Sequence, residues 1–144
     1  MSAPRETVME ALFVALQALP GLAVSSRRNR APEQIGPNES PALLLLEHGE
    51  EFVVRSVALP PIQKLKPKVV FYNDIGDQPN VIPAVAINQL IDALVRILKP
   101  GDPSNLFTLG GLVDSIVIEG QVVKAPGDIT GKSVAIVPLT ITLP

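Results

Sequence analysis

The chain has no cysteine and no tryptophan, and among its 144 residues it carries a single histidine and a single tyrosine. Without cysteine there can be no disulfide framework, no thiol nucleophile and no thiolate metal site, and the sequence offers no redox clue to its compartment. Aromatic residues make up only 3% of the chain against 47% hydrophobic residues in total, so the core must be aliphatic. No apolar run reaches the roughly 18 residues that mark a membrane-spanning helix. The segment from Met1 to Glu10 mixes Arg5 with Glu6 and Glu10 and lacks the apolar stretch and small-residue cleavage site of a secretion signal. The expectation is a soluble protein that stays in the cell that makes it until it is assembled or released.

Net charge is also small, −2 overall, with +1 over positions 1–72 and −3 over positions 73–144. That balance argues against binding nucleic acid through bulk charge. What the chain has in excess is proline, 15 residues, about twice ordinary usage. The prolines stand at joints between apolar segments, where they punctuate a folded domain rather than build a low-complexity tract. A chain of this length fits one domain, 1–144, and can bury roughly two thirds of its unfolded surface.

Periodicity sets out the elements. Val8, Leu12, Ala15 and Leu19, flanked by Met9 and Leu16, predict an amphipathic helix that starts at Ser2-Ala3-Pro4 and ends at Pro20-Gly21. Leu22 to Arg27 is a short candidate strand. Long polar loops follow at 28–41 and again at 73–82. The first has little to pack apart from Ile35, so shortening it is expected to harm assembly more than folding. Leu43-Leu44-Leu45-Leu46 reads as a buried strand, joined to a second strand, Phe52 to Leu59, by a hairpin at His48-Gly49-Glu50. Lys68 to Tyr72 is a third strand. Ile87, Leu90, Ile91, Leu94, Ile97 and Leu98 line one face of a helix over Pro83–Lys99.

A strand over Leu112–Val123 places Leu112, Ile116, Ile118 and Val122 together. In the last strand Ala135, Val137, Leu139, Ile141 and Leu143 share a face. Pro138 lacks an N–H, which implies an edge strand or a bulge there. The elements sum to an α+β fold: a mixed, mostly antiparallel β-sheet with two amphipathic helices packed on one face.

Candidate chemistry is thin. Gly131-Lys132-Ser133 looks like the end of a phosphate-binding loop, but the glycine needed five residues earlier is Pro126, and a strand follows instead of a helix. A hairpin turn accounts for it better. Paired Gly110-Gly111 lack the dinucleotide pattern and more plausibly set an unusual turn. His48 has no evident nucleophile or orienting partner and reads as a turn residue. Asn73, Asp74 and Asp77 lack the ligand spacing of a calcium loop. Arg27, Arg28 and Arg30 form the one basic cluster. Without interleaved aromatics it is weak evidence for nucleic acid, and it stands equally as a solvated loop or as an anchor in a subunit interface, where arginine is enriched.

Several segments then act together. They are the N-terminal helix leading into a strand and an Arg-bearing loop, the Pro41-Ala42-Leu43-Leu44-Leu45 strand, and the Asn88-Gln89-Leu90-Ile91-Asp92-Ala93-Leu94 helix. Phe107-Thr108-Leu109-Gly110-Gly111-Leu112-Val113 comes next, followed by Glu119-Gly120 and the closing Val137-Pro138-Leu139-Thr140-Ile141 strand. In this order and size the chain resembles the tail terminator, or minor tail completion, proteins of long-tailed bacteriophages. The resemblance implies a small α/β domain that assembles into a ring, a hexamer in that family. The ring caps the tail tube, stops its polymerisation and joins the tail to the head. It further implies no cofactor, no metal and no catalytic residue. The implied partners are further copies of the chain, the tail tube protein and a head-side connector or neck protein. DNA would pass through the pore without sequence-specific binding, and no membrane would be involved. The implied location is the virion tail or neck, with the host cytoplasm during assembly. Each subunit of such a ring needs two different patches, and a specific contact buries more than about 1,000 Å².

Other readings stand beside this one. A neighbouring head–tail neck or completion subunit would share these features. A small intracellular ligand-binding or regulatory module would need a pocket between helices and sheet with polar groups pointing inward. An enzyme would need His48, or Asp74 with Asp77, in a cleft.

Overall fold

A computed structural model describes residues 4–28, 35–76, 78, 80–103, 106–125 and 131–144. Helix α1 spans Arg5–Leu16 and buries Val8, Met9, Leu12 and Leu16 along one stripe. The Val8 N–H donates to the Pro4 carbonyl at 3.2 Å, so the first turn forms directly behind the proline. The expected cap, Ser2, lies outside the described residues. Strand β1, Val24–Ser26, follows and pairs in parallel with the start of β2, Val24 opposite Ala42.

Strand β2 runs unbroken over Ala42–Val53 and pairs antiparallel with β3, Ile62–Asp74. This corrects the expected hairpin at His48-Gly49-Glu50. The quadruple leucine and Phe52-Val53 belong to one strand, and the turn falls at 54–61, where Pro60-Pro61 interrupts pairing. Instead of a turn, the chain makes a bulge. Register slips by one residue between Leu46, opposite Lys68, and Gly49, opposite Lys66. Glu47 and His48 therefore face Pro67, a residue with no N–H to give to a ladder. The slip also exchanges faces. Leu43 and Leu45 point to the same side as Phe71 and Val69, whereas beyond the bulge Glu50 and Phe52 share that side with Leu65 and Gln63. Because β3 extends to Asp74, the loop expected over 73–82 starts two residues later.

Helix α2, Ala84–Ile97, buries Ile87, Leu90, Ala93 and Leu94. Its start is pinned to the sheet. The Pro83 carbonyl accepts hydrogen bonds from Asn73 Nδ2 at 2.8 Å and from Ser133 Oγ at 2.9 Å, both buried. Gly110 and Gly111 adopt φ of +67° and +95°, and with Leu109 at +49° they turn the chain into β4, Ser115–Ile118. The expected strand over Leu112–Val123 is thus shorter. It breaks at Glu119, and a further strand, β5, forms at Val123–Ala125.

Strand β6, Lys132–Thr142, lies inside the sheet. The order is β1-β2-β3-β6-β4, with β5 also on β6. Pro138 is therefore not on an edge strand. β6 pairs with β5 from Val134 to Ile136 and with β4 from Leu139 to Thr142, so Pro138 sits at the gap between the two. Its carbonyl accepts from the Glu119 N–H on that side at 3.2 Å. The nitrogen and oxygen of one strand residue point the same way, so the missing N–H also faces the gap, and no ladder bond is lost.

The fold is α+β, with a six-stranded, mostly antiparallel sheet and both helices on one face. Val8, Leu12, Leu16, Ile87 and Leu94 pack with Phe71, Val137, Leu139 and Ile141 in one core. The buried face expected in β6, Ala135, Val137, Leu139, Ile141 and Leu143, is buried throughout, but Thr140 on the other face is buried too. Ile35, Leu44 and Val70 are buried as well but lie outside that core. Leu44 and Val70 are cross-strand partners on the side of the sheet turned away from the helices.

Candidate assembly surface

The chemistry-bearing residues end up in structural roles or alone. His48 stands exposed in the β2 bulge, at a cleft of about 330 Å³ whose lining includes Met9, Glu47, Glu50, Lys66 and Pro67. That lining holds no hydroxyl or thiol that an imidazole could activate. Asn73 is committed to Pro83. Asp74 accepts the Gly76 N–H at 2.8 Å and lies 3.9 Å from Lys132 Nζ, while Asp77 lies outside the described residues. Among the described residues no group of three or more His, Asp or Glu is placed to hold a metal ion.

Of the three arginines, Arg27 is held within the chain. Its guanidinium donates to both carboxylate oxygens of Glu6, and to Glu10 at 3.3 Å, with Glu47 at 4.0 Å. It ties the end of β1 to the first two turns of α1 and to the β2 bulge. Arg28 is exposed, its backbone N–H donating to Ser26 Oγ at 2.9 Å. Arg30 lies outside the described residues. The hydrogen bond from Arg27 holds the Glu6 carboxyl below the usual carboxylate range, outweighing the desolvation that opposes it, with the Arg27 charge adding a lesser pull in the same direction. The same bond to Glu6 pushes Arg27 further above its ordinary value.

A depressed carboxyl contributes stability that is present above its unfolded pKa, about 4.3, and is lost as pH falls through the lower folded value. Replacing Arg27 with Met keeps the apolar stem and removes the charge. The variant is expected to melt slightly below the parent at pH 7 in low salt. The gap should close below about pH 4 and in high salt, because the pairs are largely exposed. Thermal melts across pH and salt check this, and a gap independent of both would refute it.

The exposed surface is more telling. The β2–β3 hairpin runs past the end of β6, whose last partner on β3 is Lys64. Beyond that point Val54 is 74% exposed and Val57 fully so, and Phe52 and Leu59 are each about half exposed. The loop has its own shape. Arg55 Nη2 donates to the Pro60 carbonyl at 2.8 Å, and the Ala58 N–H donates to Ser56 Oγ at 3.1 Å. Its base is fixed to α1: Arg5 donates to Glu50 at 2.7 Å and to Gln63 at 2.9 Å, and its guanidinium stacks 5.9 Å from the Phe52 ring centre. Sequence reasoning missed this projection by reading Phe52–Leu59 as a paired strand. Ser56 and Pro60-Pro61 were the turn signal that could have found it.

Other surfaces are open as well. The outward side of α1 presents Glu6, Thr7, Glu10, Ala11 and Val14 around a shallow depression, with Val14 57% exposed. On the sheet face away from the helices, Lys64, Lys66 and Lys68 follow one another along β3. Lys66 stands 3.8 Å from Glu51 and 3.7 Å from Glu119.

No family model and no curated protein sequence matches the chain. Its structure is similar to that of a chain in the virion of a native gene transfer agent particle, with a TM-score of 0.52 at 12% identity over 94% of this chain and 93% of that one. At that identity the likeness is one of fold.

Proposed function

We propose that this chain is a structural protein of a tailed, phage-like particle, and within it the tail terminator: a ring, hexameric in the family the sequence resembles, that caps the tail tube, stops its growth and joins it to the head. The observation that carries the reading is the end-to-end likeness of fold to a chain of a gene transfer agent virion, 94% of one chain on 93% of the other. A likeness that leaves almost nothing over on either side favours a subunit of similar plan. The surface supports it, because the hairpin end gathers Phe52, Val54, Val57 and Leu59 in the open, the kind of apolar patch that marks a protein contact.

The partners of this reading are further copies of the chain, the tail tube protein and a head-side connector. DNA is threaded without sequence readout. Among the described residues no helix is long and apolar enough to cross a membrane. The segment from Arg27 to Arg30 is proposed to flank a subunit contact, with exposed Arg28 available to a neighbour and Arg27 setting the acidic end of α1 beside it.

The test is to add purified protein to tail tubes and image them by negative-stain microscopy. Capped ends and arrested tube growth are expected. Protein that stays monomeric at high concentration and never binds a tube end would refute the proposal. Imaging of assembled particles separates a terminator, seated on the tube, from a neck subunit one layer nearer the head.

A further inference from the structure

The loop at the end of the β2–β3 hairpin and the outward strip of α1 are complementary, and we infer that the loop of one copy docks on the α1 strip of the next. The inference rests on the ring reading and specifies its contact.

Three observations carry it. The first is charge. From Phe52 to Gln63 the hairpin end holds one cation, Arg55, and no carboxylate. Arg55 has no carboxylate partner among the described residues; its one hydrogen bond is to the Pro60 carbonyl. From Glu6 to Val14 the strip holds two carboxylates and no cation. Arg27 approaches both, yet it brings one charge to three acids, Glu6, Glu10 and Glu47, and the Glu10 side chain stays 58% exposed.

The second observation is apolar matching. Val54 and Val57 flank Arg55, as Ala11 and Val14 adjoin Glu10 on the helix. A helix with one buried stripe should be polar on the opposite side. α1 departs from that rule at Ala11 and Val14, with Val14 57% exposed, more than Val85 and Val95 of α2 at 46% and 45%. The third is size. The exposed side chains of Phe52, Val53, Val54, Val57 and Leu59 amount to roughly 500 Å², near the upper end for the largest apolar patch on a monomer. One partner in a standard interface contributes about 800 Å².

Loop and strip are exposed at the same time, so they do not meet within one chain. Two different patches on one molecule that fit each other generate a head-to-tail contact, which closes into a ring when the rotation permits.

The absence of cysteine makes a clean test possible. Val57→Cys is combined with Val14→Cys, and in a second variant with Ala11→Cys, because a disulfide forms only across a Cα separation of about 4.4–6.8 Å. Oxidation is run on free protein at several concentrations and on protein bound to tube ends, and read on a non-reducing gel. At least one double variant should give a ladder extending beyond the dimer, while each single variant stops at monomer or dimer. Adding Arg55→Glu to the cross-linking variant should lower the ladder yield roughly tenfold, since like charges at a contact repel strongly, and Glu10→Arg in the same chain should restore it.

Absence of any species beyond the dimer in both samples overturns the inference. So does an Arg55→Glu loss that Glu10→Arg fails to repair. If tubes are capped and no ladder forms, the loop contact falls and the ring reading stands. If tubes are not capped either, both fall.

Discussion

Replacing Gly131 with Ala is expected to destabilise the protein by about 3 kcal/mol and to lower its melting temperature by roughly 10 °C. Gly131 is buried immediately before β6, and its φ is +78°. In that backbone region a side chain costs about 1–2 kcal/mol by itself. Here it also has nowhere to go, since a Cβ would lie 2.6 Å from the Gly76 carbonyl oxygen and 3.6 Å from Ile75 Cγ1. The obstacle is backbone, and that backbone is itself held. The Ile75 N–H donates to the Gly131 carbonyl at 3.0 Å, and the Gly76 N–H donates to Asp74. Relieving the clash therefore means separating the chain leaving β3 from the chain entering β6. Gly110→Ala provides the comparison. Its φ is +67°, but a Cβ there meets nothing within 4 Å, so only the conformational part, about 1 kcal/mol, should appear. Urea denaturation of the two variants checks the difference. Equal losses would mean that the close approach of Gly131 to Gly76 is not a feature of the folded protein.

Ile35→Ala is expected to cost about 3 kcal/mol as well. The side chain is 1% exposed, and Leu44 and Val70, on the sheet face away from the helices, are 0% and 5% exposed. That face has no helix to cover it at this end. The segment around Ile35 is also fastened to β3: Ser40 Oγ donates to the Gly36 carbonyl at 3.0 Å and accepts the Asp74 N–H at 3.0 Å. The expectation that shortening the 28–41 loop would harm assembly more than folding therefore changes for residues 35–41, where deletion should unfold the protein. Val57→Ala is the control. Its side chain is fully exposed, so its effect on stability should stay within about 0.5 kcal/mol. An Ile35→Ala variant as stable as Val57→Ala would show that the segment does not pack.

The surface was less legible than the core, for a physical reason. A core position is marked by the period of its own element, so Ile87, Leu90 and Leu94 in α2 were identified from spacing alone. A docking position is marked by being apolar and left uncovered, and exposure is not a local property. Val54 and Val57 looked like strand interior because they are β-branched and neighbour Phe52. What leaves them in the projecting loop is that the pairing of β2 with β3 stops at Val53 opposite Ile62. Arg27 was singled out for being basic beside a long loop. The three carboxylates that hold it come from α1 and β2, and that meeting follows from the parallel pairing of β1 with β2.

The sequence by itself determined the two helices, the inward alternation of the closing strand, the aliphatic core and the turn at Gly110-Gly111, because periodicity and backbone freedom act over a few neighbouring residues. Tertiary structure alone decided that β2 passes through His48-Gly49 as a bulge opposite Pro67, that Pro138 sits inside the sheet at the gap between β4 and β5, and that the hairpin end stands clear of the body. Each of these depends on what lies across a ladder, and strand partners here lie from 9 to 78 residues apart in the chain, from Val53 opposite Ile62 to Lys64 opposite Thr142. No local pattern of side chains records which strand will arrive alongside, and that arrival sets where the missing N–H of a proline falls and which apolar residues remain in water.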